Sequence, residues 1–493
     1  MQKVNFRLRY PLYGVQATQR IEQTIAASLP PHTLMQRAGL AVARLALALA
    51  PHAQRYWIAC GAGNNGGDGL EAAMHLQRWN KQPLVTWLGR PEQAPADALA
   101  SYHRAVEAGV SFAQEPAADC DLTIDALLGI GARAREPEGR MAQWITLMQA
   151  PGAAPVLSVD LPTGLQADSG VVAKHSVRAQ HTLSLLTLKP GLFTAHGRDA
   201  AGTVWLEPLD GATPSLDHQY GSNPDAWLGA EPAVQARLHA SHKGSYGDVA
   251  VVGGAAGMTG AALLAASAAL HSGAGRVFVC LLDGGTVGVD ATRPELMFRA
   301  ADTLDFRTMT VVCGCGGGEA IAAVLARTLS SAASLVLDAD AINVTAHDTS
   351  LQTILTARGA RRLATVLTPH PLEAARLLGS SASQVQCDRL GAARELARRF
   401  DCTVVLKGSG TIIAAPAHTP VINATGNARL ASAGTGDVLA GMIGAQLAAG
   451  LDAFDATCLA VYRHGLAAEQ PQGNGPLVAS ELARMATLRS PGP

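Results

Sequence analysis

Near its carboxyl end the chain reads Asn423-Ala-Thr-Gly-Asn-Ala-Arg-Leu-Ala-Ser-Ala-Gly-Thr-Gly-Asp437 and then turns apolar, Val-Leu-Ala-Gly-Met-Ile. A carboxylate directly after a glycine turn, at the start of an apolar helix, stands beside unpaired backbone N–H groups and the positive end of the helix dipole. Both favour a phosphate. A base beside an anion cradle suits phosphoryl transfer to a hydroxyl. Taken alone, Gly434 and Gly436 could simply shape a tight turn with Asp437 as its cap. Lys407-Gly-Ser-Gly-Thr411 between two β-rich runs, and Thr368-Pro-His-Pro-Leu-Glu373 after another, add polar loops that each close a buried strand. Loops of this kind gather into a site at one edge of an α/β sheet.

A second set lies in the amino-terminal half. Gly61-Ala-Gly-Asn-Asn-Gly-Gly-Asp-Gly69 stands between a strand and an expected helix, Leu70 to Trp79. It lacks both dinucleotide-fingerprint spacing and the P-loop lysine. Asn64, Asn65 and Asp68 instead offer oxygen ligands and hydrogen-bonding groups. Asp125, Gly129-Ile-Gly-Ala-Arg-Ala-Arg135 and Asp160-Leu-Pro-Thr-Gly164 each follow an apolar run, where a parallel sheet would collect them at one edge. Singly, Asp125 and Asp160 serve equally well as helix caps.

The elements that must position these residues alternate. Strand patterns at 56–60, 84–88, 122–126, 156–159, 182–188 and 203–206 are interleaved with helical ones, as in a mostly parallel, doubly wound sheet. A helical pair broken at Pro30-Pro31 precedes them. The rhythm resumes at 248–252, 276–282, 310–313, 335–337, 365–367, 403–406 and 411–414. At 493 residues the chain is too long for one core. Pro208 to Pro224 is rich in turn residues, which sets a boundary near 218. The expected division is 1–217, a linker at 218–225, and 226–493, with no sequence repeat between the halves.

A formal net charge of -1 speaks against nucleic acid or a membrane surface as partner. Cys313-x-Cys315 has no second pair at metal-ligand spacing, so the eight cysteines read as reduced, mostly buried thiols. No secretory leader pattern or run of about 18 apolar residues appears, and a cytoplasmic protein is expected.

Asn64-Asn-Gly-Gly-Asp68, Leu34-Met-Gln-Arg-Ala-Gly39 and Asp160-Leu-Pro-Thr-Gly164 resemble the epimerase domain of the bifunctional NAD(P)H-hydrate repair enzymes over most of 10–210. His242-Lys-Gly-Ser-Tyr-Gly247, Gly253 to Ala261, Asp338-Ala-Asp-Ala341, Thr368-Pro-His-Pro371, Lys407 to Thr411 and Ala433 to Asp437 resemble the dehydratase domain of the same family over nearly all of 226–490. The resemblance implies a Rossmann-like three-layer α/β domain followed by a ribokinase-like α/β domain. It implies interconversion of the R and S forms of hydrated NADH and NADPH, then dehydration of the S form using ADP, giving AMP and phosphate.

In the first half the resemblance implies a potassium ion on Asn65, Asp125 and Thr163. It puts the substrate on Asn64, Asn65, Gly66, Gly67, Asp68 and on Gly129, Ile130, Gly131, Ala132, Arg133, Ala134 and Arg135, with Asp160 as catalytic acid or base. In the second half Asp437 is the implied general base, and Ala261, Gly316 and His370 join it on the hydrated cofactor. Lys407, Gly408, Ser409, Gly410, Thr411 and Gly436 hold the nucleotide, with magnesium. Glu373 serves either magnesium, through water, or the solvated face of an amphipathic helix. Asp338 and Asp340 brace the site. The expected partners are hydrated NADH and NADPH and ADP, and the chain is expected to form a homo-oligomer.

Two positions depart from the family pattern. Thr163 stands where serine is common, and Ala428-Arg-Leu430 replaces a segment with proline, glycine and methionine, so that Arg429 either crowds a phosphate or binds one. Two rivals remain open from sequence: a ribokinase-like kinase of a small vitamin-precursor alcohol, and a non-catalytic binding module in the first half. The residues do not distinguish ADP from ATP.

Overall fold

The computed structural model describes residues 1–116, 119–131, 136–209, 223–233, 237–470 and 475–485. The chain divides into two compact units, Met1–Asn5 with Arg9–Trp227, and Phe6–Leu8 with Leu228–Pro493. The expected boundary at 218 falls outside the described residues.

In the first unit the strands lie in the order Ser111–Ala113, Gln82–Trp87, Arg55–Cys60, Leu122–Ala126, Val156–Val159, His181–Leu185, Thr203–Glu207, all parallel, with Gln2–Lys3 antiparallel at the far edge. Chain order runs one way from Arg55–Cys60 and the other way from Leu122–Ala126. This is the Rossmann order, and its crevice opens between those two strands at their carboxyl ends. The strands read as apolar runs because helices cover both faces, and Tyr56, Ile58, Ile124 and Leu157 are buried in one core cluster.

The helix expected from Leu70 begins instead at Asn64 and runs to Arg78. Asn64 to Asp68 is therefore the helix's first turn, not a loop. Its glycines answer to crowding rather than flexibility. A Cβ at Gly66 would lie 2.0 Å from Gly61 O, and one at Gly67 2.6 Å from Met35 Sδ.

In the second unit the order is Met297–Phe298, Arg276–Leu282, Asp248–Ala255, Thr310–Cys313, Ser334–Leu337, Thr365–Leu367, Thr403–Leu406, all parallel, then Ile412–Ala415 and His418–Ile422 antiparallel. Direction reverses between Asp248–Ala255 and Thr310–Cys313. The helix Thr435–Ala448, buried continuously from Val438 to Leu447, seats itself by small residues. A Cβ at Gly441 would lie 2.0 Å from Ala265 O of the helix Thr259–His271. Overpacking of this kind costs about 1–3 kcal/mol, so the glycine fixes where the helix, and Asp437 on its first turn, can sit.

Among the described residues no helix is long and apolar enough to cross a membrane.

Candidate functional sites

The first site occupies the switch point of the first unit. In-register pairing places Asp125 beside Ala59 on one side and Ser158 on the other. Asp125 is fully buried. Its Oδ2 accepts from Ser158 Oγ (2.8 Å) and Thr163 N (2.9 Å), and its Oδ1 accepts from Thr163 Oγ1 (2.7 Å). Thr163 Oγ1 in turn accepts from Leu128 N at 3.1 Å. The added methyl of Thr163 is accommodated in a fully buried position. Burial pushes the Asp125 carboxyl above its ordinary range, and the Thr163, Ser158 and Leu127 donors pull it part of the way back. Asn65 Nδ2 is buried and has no hydrogen-bond partner.

Asp160 follows the strand Val156–Val159 with φ 67°, a left-handed conformation that costs a non-glycine residue about 1–3 kcal/mol and persists only where surroundings impose it. Its Oδ1 is ion-paired with Lys189, a fully buried lysine that sequence reasoning missed. The signal was present: one lysine inside the apolar run Leu185-Leu-Thr-Leu-Lys-Pro190, directly after a strand. Asp160 and Lys189 line a cavity of about 640 Å³ together with Glu22, Asn64, Asn65, Asp68, Gly129, Ile130 and Gly131. Burial, then the charges of Asp160 and Glu22, push the Asp68 carboxyl well up, and burial lifts Glu22. The cavity thus gathers much of what the sequence set apart. Ala132, Arg133, Ala134 and Arg135 lie outside the described residues.

The second site lies at the second switch point. Gly434, at φ 88°, turns the chain into the helix, and the first helical hydrogen bond, Val438 N to Gly434 O (3.1 Å), leaves the amides of Thr435, Gly436 and Asp437 ahead of it. Thr435 Oγ1 pins the approach by donating to Leu430 O and Ser432 O, both at 3.0 Å. Buried His464 supports the turn from below, its Nε2 donating to Thr435 O at 2.9 Å, and burial holds its pKa down at about 4.

Asp437 meets Asp338 and Cys315, with ligand atoms of all three within 4.8 Å of one another. Burial and the Asp338 carboxylate lift Asp437 to about 7, against the opposing pull of the Cys315 thiol and Lys407. Cys315 is buried and reduced, as expected, but the sequence reading gave it no place in the site. Its thiol is pushed well up by burial and by the Asp338 and Asp437 carboxylates, so it stays protonated and donates.

Lys407 points to the floor of this site. Its Nζ lies 2.7 Å from Asp338 Oδ1 and 4.0 Å from Glu373 Oε2, and a Cβ on Gly436 would lie 3.4 Å from it. Thr368 Oγ1 completes the Asp338 environment at 2.7 Å. Asp340 accepts from Gly318 N (2.8 Å) and so braces the loop of Gly316, whose own carbonyl accepts from Ala255 N (2.7 Å). A Cβ on Gly316 would lie 2.8 Å from that of Ala261, so these two expected substrate contacts are neighbours. Gly408, Ser409, Gly410 and Thr411 form the hairpin turn after Thr403–Leu406. Buried Arg389 supports it, donating to Leu406 O (3.3 Å) and Lys407 O (3.1 Å).

His370 caps the helix Pro371–Leu378. Its Nδ1 accepts from Leu372 N (3.1 Å) and Glu373 N (3.3 Å), while Glu373 Oε2 accepts from His370 N (2.7 Å). Glu373 is therefore a buried capping residue, and the solvated-face reading is corrected. Arg429 is also corrected: its guanidinium donates to Ala468 O (3.0 Å), Gln470 O (2.9 Å) and Gly475 O (3.0 Å), tying down the carboxyl-terminal segment.

Comparison with known proteins gives a family match for each half of the chain. A family profile described as NAD(P)H-hydrate dehydratase matches residues 249–486, and one described as YjeF-related protein N-terminus matches 31–191. The bifunctional NAD(P)H-hydrate repair enzyme Nnr of Escherichia coli (strain K12) is 34% identical over 465 residues, covering 89% of this chain and 85% of that protein. The ADP-dependent (S)-NAD(P)H-hydrate dehydratase of Neisseria meningitidis serogroup B (strain ATCC BAA-335 / MC58) is 44% identical over 256 residues, 50% of this chain and 85% of that protein. A solved ADP/ATP-dependent NAD(P)H-hydrate dehydratase from Bacillus subtilis is 29% identical, covering 51% of this chain and 92% of that one, with a TM-score of 0.43. By the identity and coverage of full-length relatives, the chain belongs to the family of bifunctional NAD(P)H-hydrate repair enzymes.

Proposed function

We propose that the chain repairs hydrated NADH and NADPH: the first unit interconverts the R and S hydrates, and the second dehydrates the S form with ADP. Spontaneous hydration yields both epimers, so an epimerase joined to an S-specific dehydratase lets one chain clear the whole pool. The observation that carries the dehydratase reading is Asp437, a carboxyl lifted to about 7 at the amino end of a helix, beside a lysine and a run of leading amides. A base with a pKa near the working pH is poised for proton transfer.

Hydroxide leaves C6 poorly. Asp437 accepts the C6 hydroxyl proton as the oxygen takes the phosphoryl group from ADP. The leading amides of Thr435 and Gly436, with the Lys407 ammonium, face the charge on the moving phosphoryl group. The ring nitrogen then expels phosphate, and the iminium ion so formed loses its C5 proton to the departing phosphate or to water, restoring the dihydronicotinamide. Ala261, Gly316 and His370 border the ring, and Lys407 to Thr411 with Gly436 hold the nucleotide. Magnesium, when present, offsets phosphate charge. Glu373 is already engaged by His370 N and Lys407, so no magnesium role is assigned to it.

In the first unit the substrate lies on Asn64 to Asp68 and Gly129 to Gly131, with Asp160 at the hydrated ring. Potassium fits Asn65, Asp125 and Thr163. Asp125 is a buried carboxylate, and the Asn65 amide leaves a buried end unpaired. The two ends of an amide are interchangeable in assignment, and turned about, the oxygen takes that place. The ion would supply positive charge and hold those oxygens in place. The restored dihydronicotinamide absorbance, followed on mixed hydrates with ADP and separately with ATP, tests the whole reading. Recovery beyond the S fraction supports both activities, and recovery of the S fraction alone removes the epimerase. No recovery with either nucleotide returns the second unit to the small-alcohol kinase.

A further inference from the structure

Asp160 is held more tightly than a residue that merely touches a ligand needs to be. Its backbone N–H donates to Leu183 O (2.8 Å), fixing the left-handed turn, and its Oδ1 receives both the Lys189 ammonium and Leu185 N (3.3 Å). Lys189 spends its remaining donors on Leu185 O (2.8 Å) and Ser184 Oγ (3.3 Å). An ammonium with three protein partners, fully buried, has one orientation open to it. A buried lysine is costly, and this one serves no other carboxylate at ion-pair distance among the described residues. Among the described residues the second oxygen of Asp160, Oδ2, has only the long contact to Ile130 N (3.4 Å), from the glycine turn that lines the same cavity.

We propose that Lys189 is the positioning residue of the first site: it locks Oδ1 of Asp160, so that Oδ2 alone faces the substrate and Asp160 serves as the base of epimerisation. This rests on the reading of Asp160 as the residue at the hydrated ring, and resolves its acid-or-base ambiguity. The step assigned to Asp160 is a proton transfer: Oδ2 takes the proton of the C6 hydroxyl as the C6–N1 bond opens, C6 becoming an aldehyde while N1 keeps the electron pair and takes up a proton, and reclosure of N1 on the other face of the carbonyl reverses both transfers, with no covalent bond to the chain. Lys189 acts through the carboxylate and does not itself reach the ring.

The test uses the full chain, R and S hydrates together, and ADP. The S form is consumed first, and the slower recovery of the R fraction then reports epimerisation. Lys189→Met is expected to lower the slow-phase kcat by about 100-fold, the usual scale of a lost acid–base contribution, leaving KM for the R hydrate and the fast phase unchanged. Lys189→Arg keeps the charge but not the geometry, and is expected to fall about tenfold, between wild type and Lys189→Met. Where Lys189→Met does not fold, Lys189→Arg carries the test. A folded variant of either kind with a wild-type slow phase overturns the proposal. So does a loss that appears in KM alone, or that tracks melting temperature across the two variants. Asp160→Asn separates the two layers: if it retains the slow phase, the reading of Asp160 fails, whereas an inactive Asp160→Asn beside an active Lys189→Met removes only the role of Lys189.

Discussion

The Nζ of Lys407 lies 2.7 Å from Asp338 Oδ1, so a lysine whose sequence neighbours are Gly408-Ser-Gly-Thr411 carries its charge to the floor beneath Asp437. Burial alone would depress its pKa, but the Asp338 and Glu373 carboxylates outweigh burial and raise it. The ammonium is thus permanent, and it stands beside the turn that faces the moving phosphoryl group.

Lys407→Met should therefore slow dehydration by about 10²–10³-fold, the range for losing one preorganised charge-stabilising donor. It should also destabilise the second unit by about 3–5 kcal/mol, because Asp338 is left buried without its counter-charge. Initial rates on the S hydrate with ADP, and urea unfolding, check the two effects. Epimerisation by the same variant should be unchanged, and a parallel loss there would argue against separate sites.

The lifted carboxyl of Asp437 sets a pH dependence whose sign is fixed. The ionised form is the base, so kcat for dehydration should rise as pH increases toward about 7 and level off above it. Stability moves the other way. A folded pKa above the ordinary 3.8 contributes stability at low pH that is lost as pH climbs from about 4 through about 7. Asp437→Asn should consequently gain melting temperature over wild type at pH 8 and not at pH 4, while losing dehydration throughout. A gain equal at both pH values would contradict the assignment.

Cys315 supplies the finer control. Its thiol, which donates to Asp338 Oδ2 at 4.0 Å, also lies beside Asp437 and favours the ionised base, in the company of Lys407 and against Asp338 and Asp340. Cys315→Ala should move the acidic limb of the dehydration profile to higher pH, and Cys315→Ser, which keeps a donor, should restore it. A profile unmoved by Cys315→Ala in folded protein would leave the thiol a packing residue.

What the sequence could and could not reveal divides along a physical line. Apolar runs and glycine turns disclosed both sheets and their inner parallel strands, because burial on two faces writes itself into composition, while short strands such as Ser111–Ala113 and Met297–Phe298 went unread. Asp437, Asp125 and Asp160 were legible since each ends such a run. The start of the helix at Asn64 was hidden, because three glycines read as loop when they are set by contacts with Gly61, Met35 and Ala126. Lys189, Cys315 and the inward turn of Lys407 were hidden for a related reason: each acts through a partner far away in sequence. Arg429 looked like a phosphate neighbour from its place before Asp437, and only the carbonyls of Ala468, Gln470 and Gly475 reveal its task.

Arg429→Ala should accordingly leave KM for ADP unchanged and loosen the carboxyl-terminal segment. Hydrogen bonds from a charged donor are worth about 1.5–3 kcal/mol each, so the loss should expose that segment to protease well before the rest of the unit unfolds. Limited proteolysis followed by mass spectrometry reads this directly. A large rise in KM for ADP, with proteolysis unchanged, would return the guanidinium to the nucleotide.

Asp125 separates architecture from ion binding. It satisfies Ser158 Oγ, Thr163 Oγ1 and Thr163 N within a wholly buried pocket. Removing one acceptor from several buried donors costs about 1–3 kcal/mol for each donor left unpaired, so Asp125→Ala should destabilise the first unit by several kcal/mol. Asp125→Asn keeps the shape and one acceptor oxygen, and should fold, yet it withdraws the negative charge that would hold potassium. Added potassium, compared with equal ionic strength of a bulky organic cation, should raise the melting temperature of wild type and not of Asp125→Asn. An equal rise in both would place the ion elsewhere, and no rise in wild type would leave Asp125 as the hydrogen-bonding hub that joins its own strand to the neighbouring one at Ser158 and to the turn at Thr163.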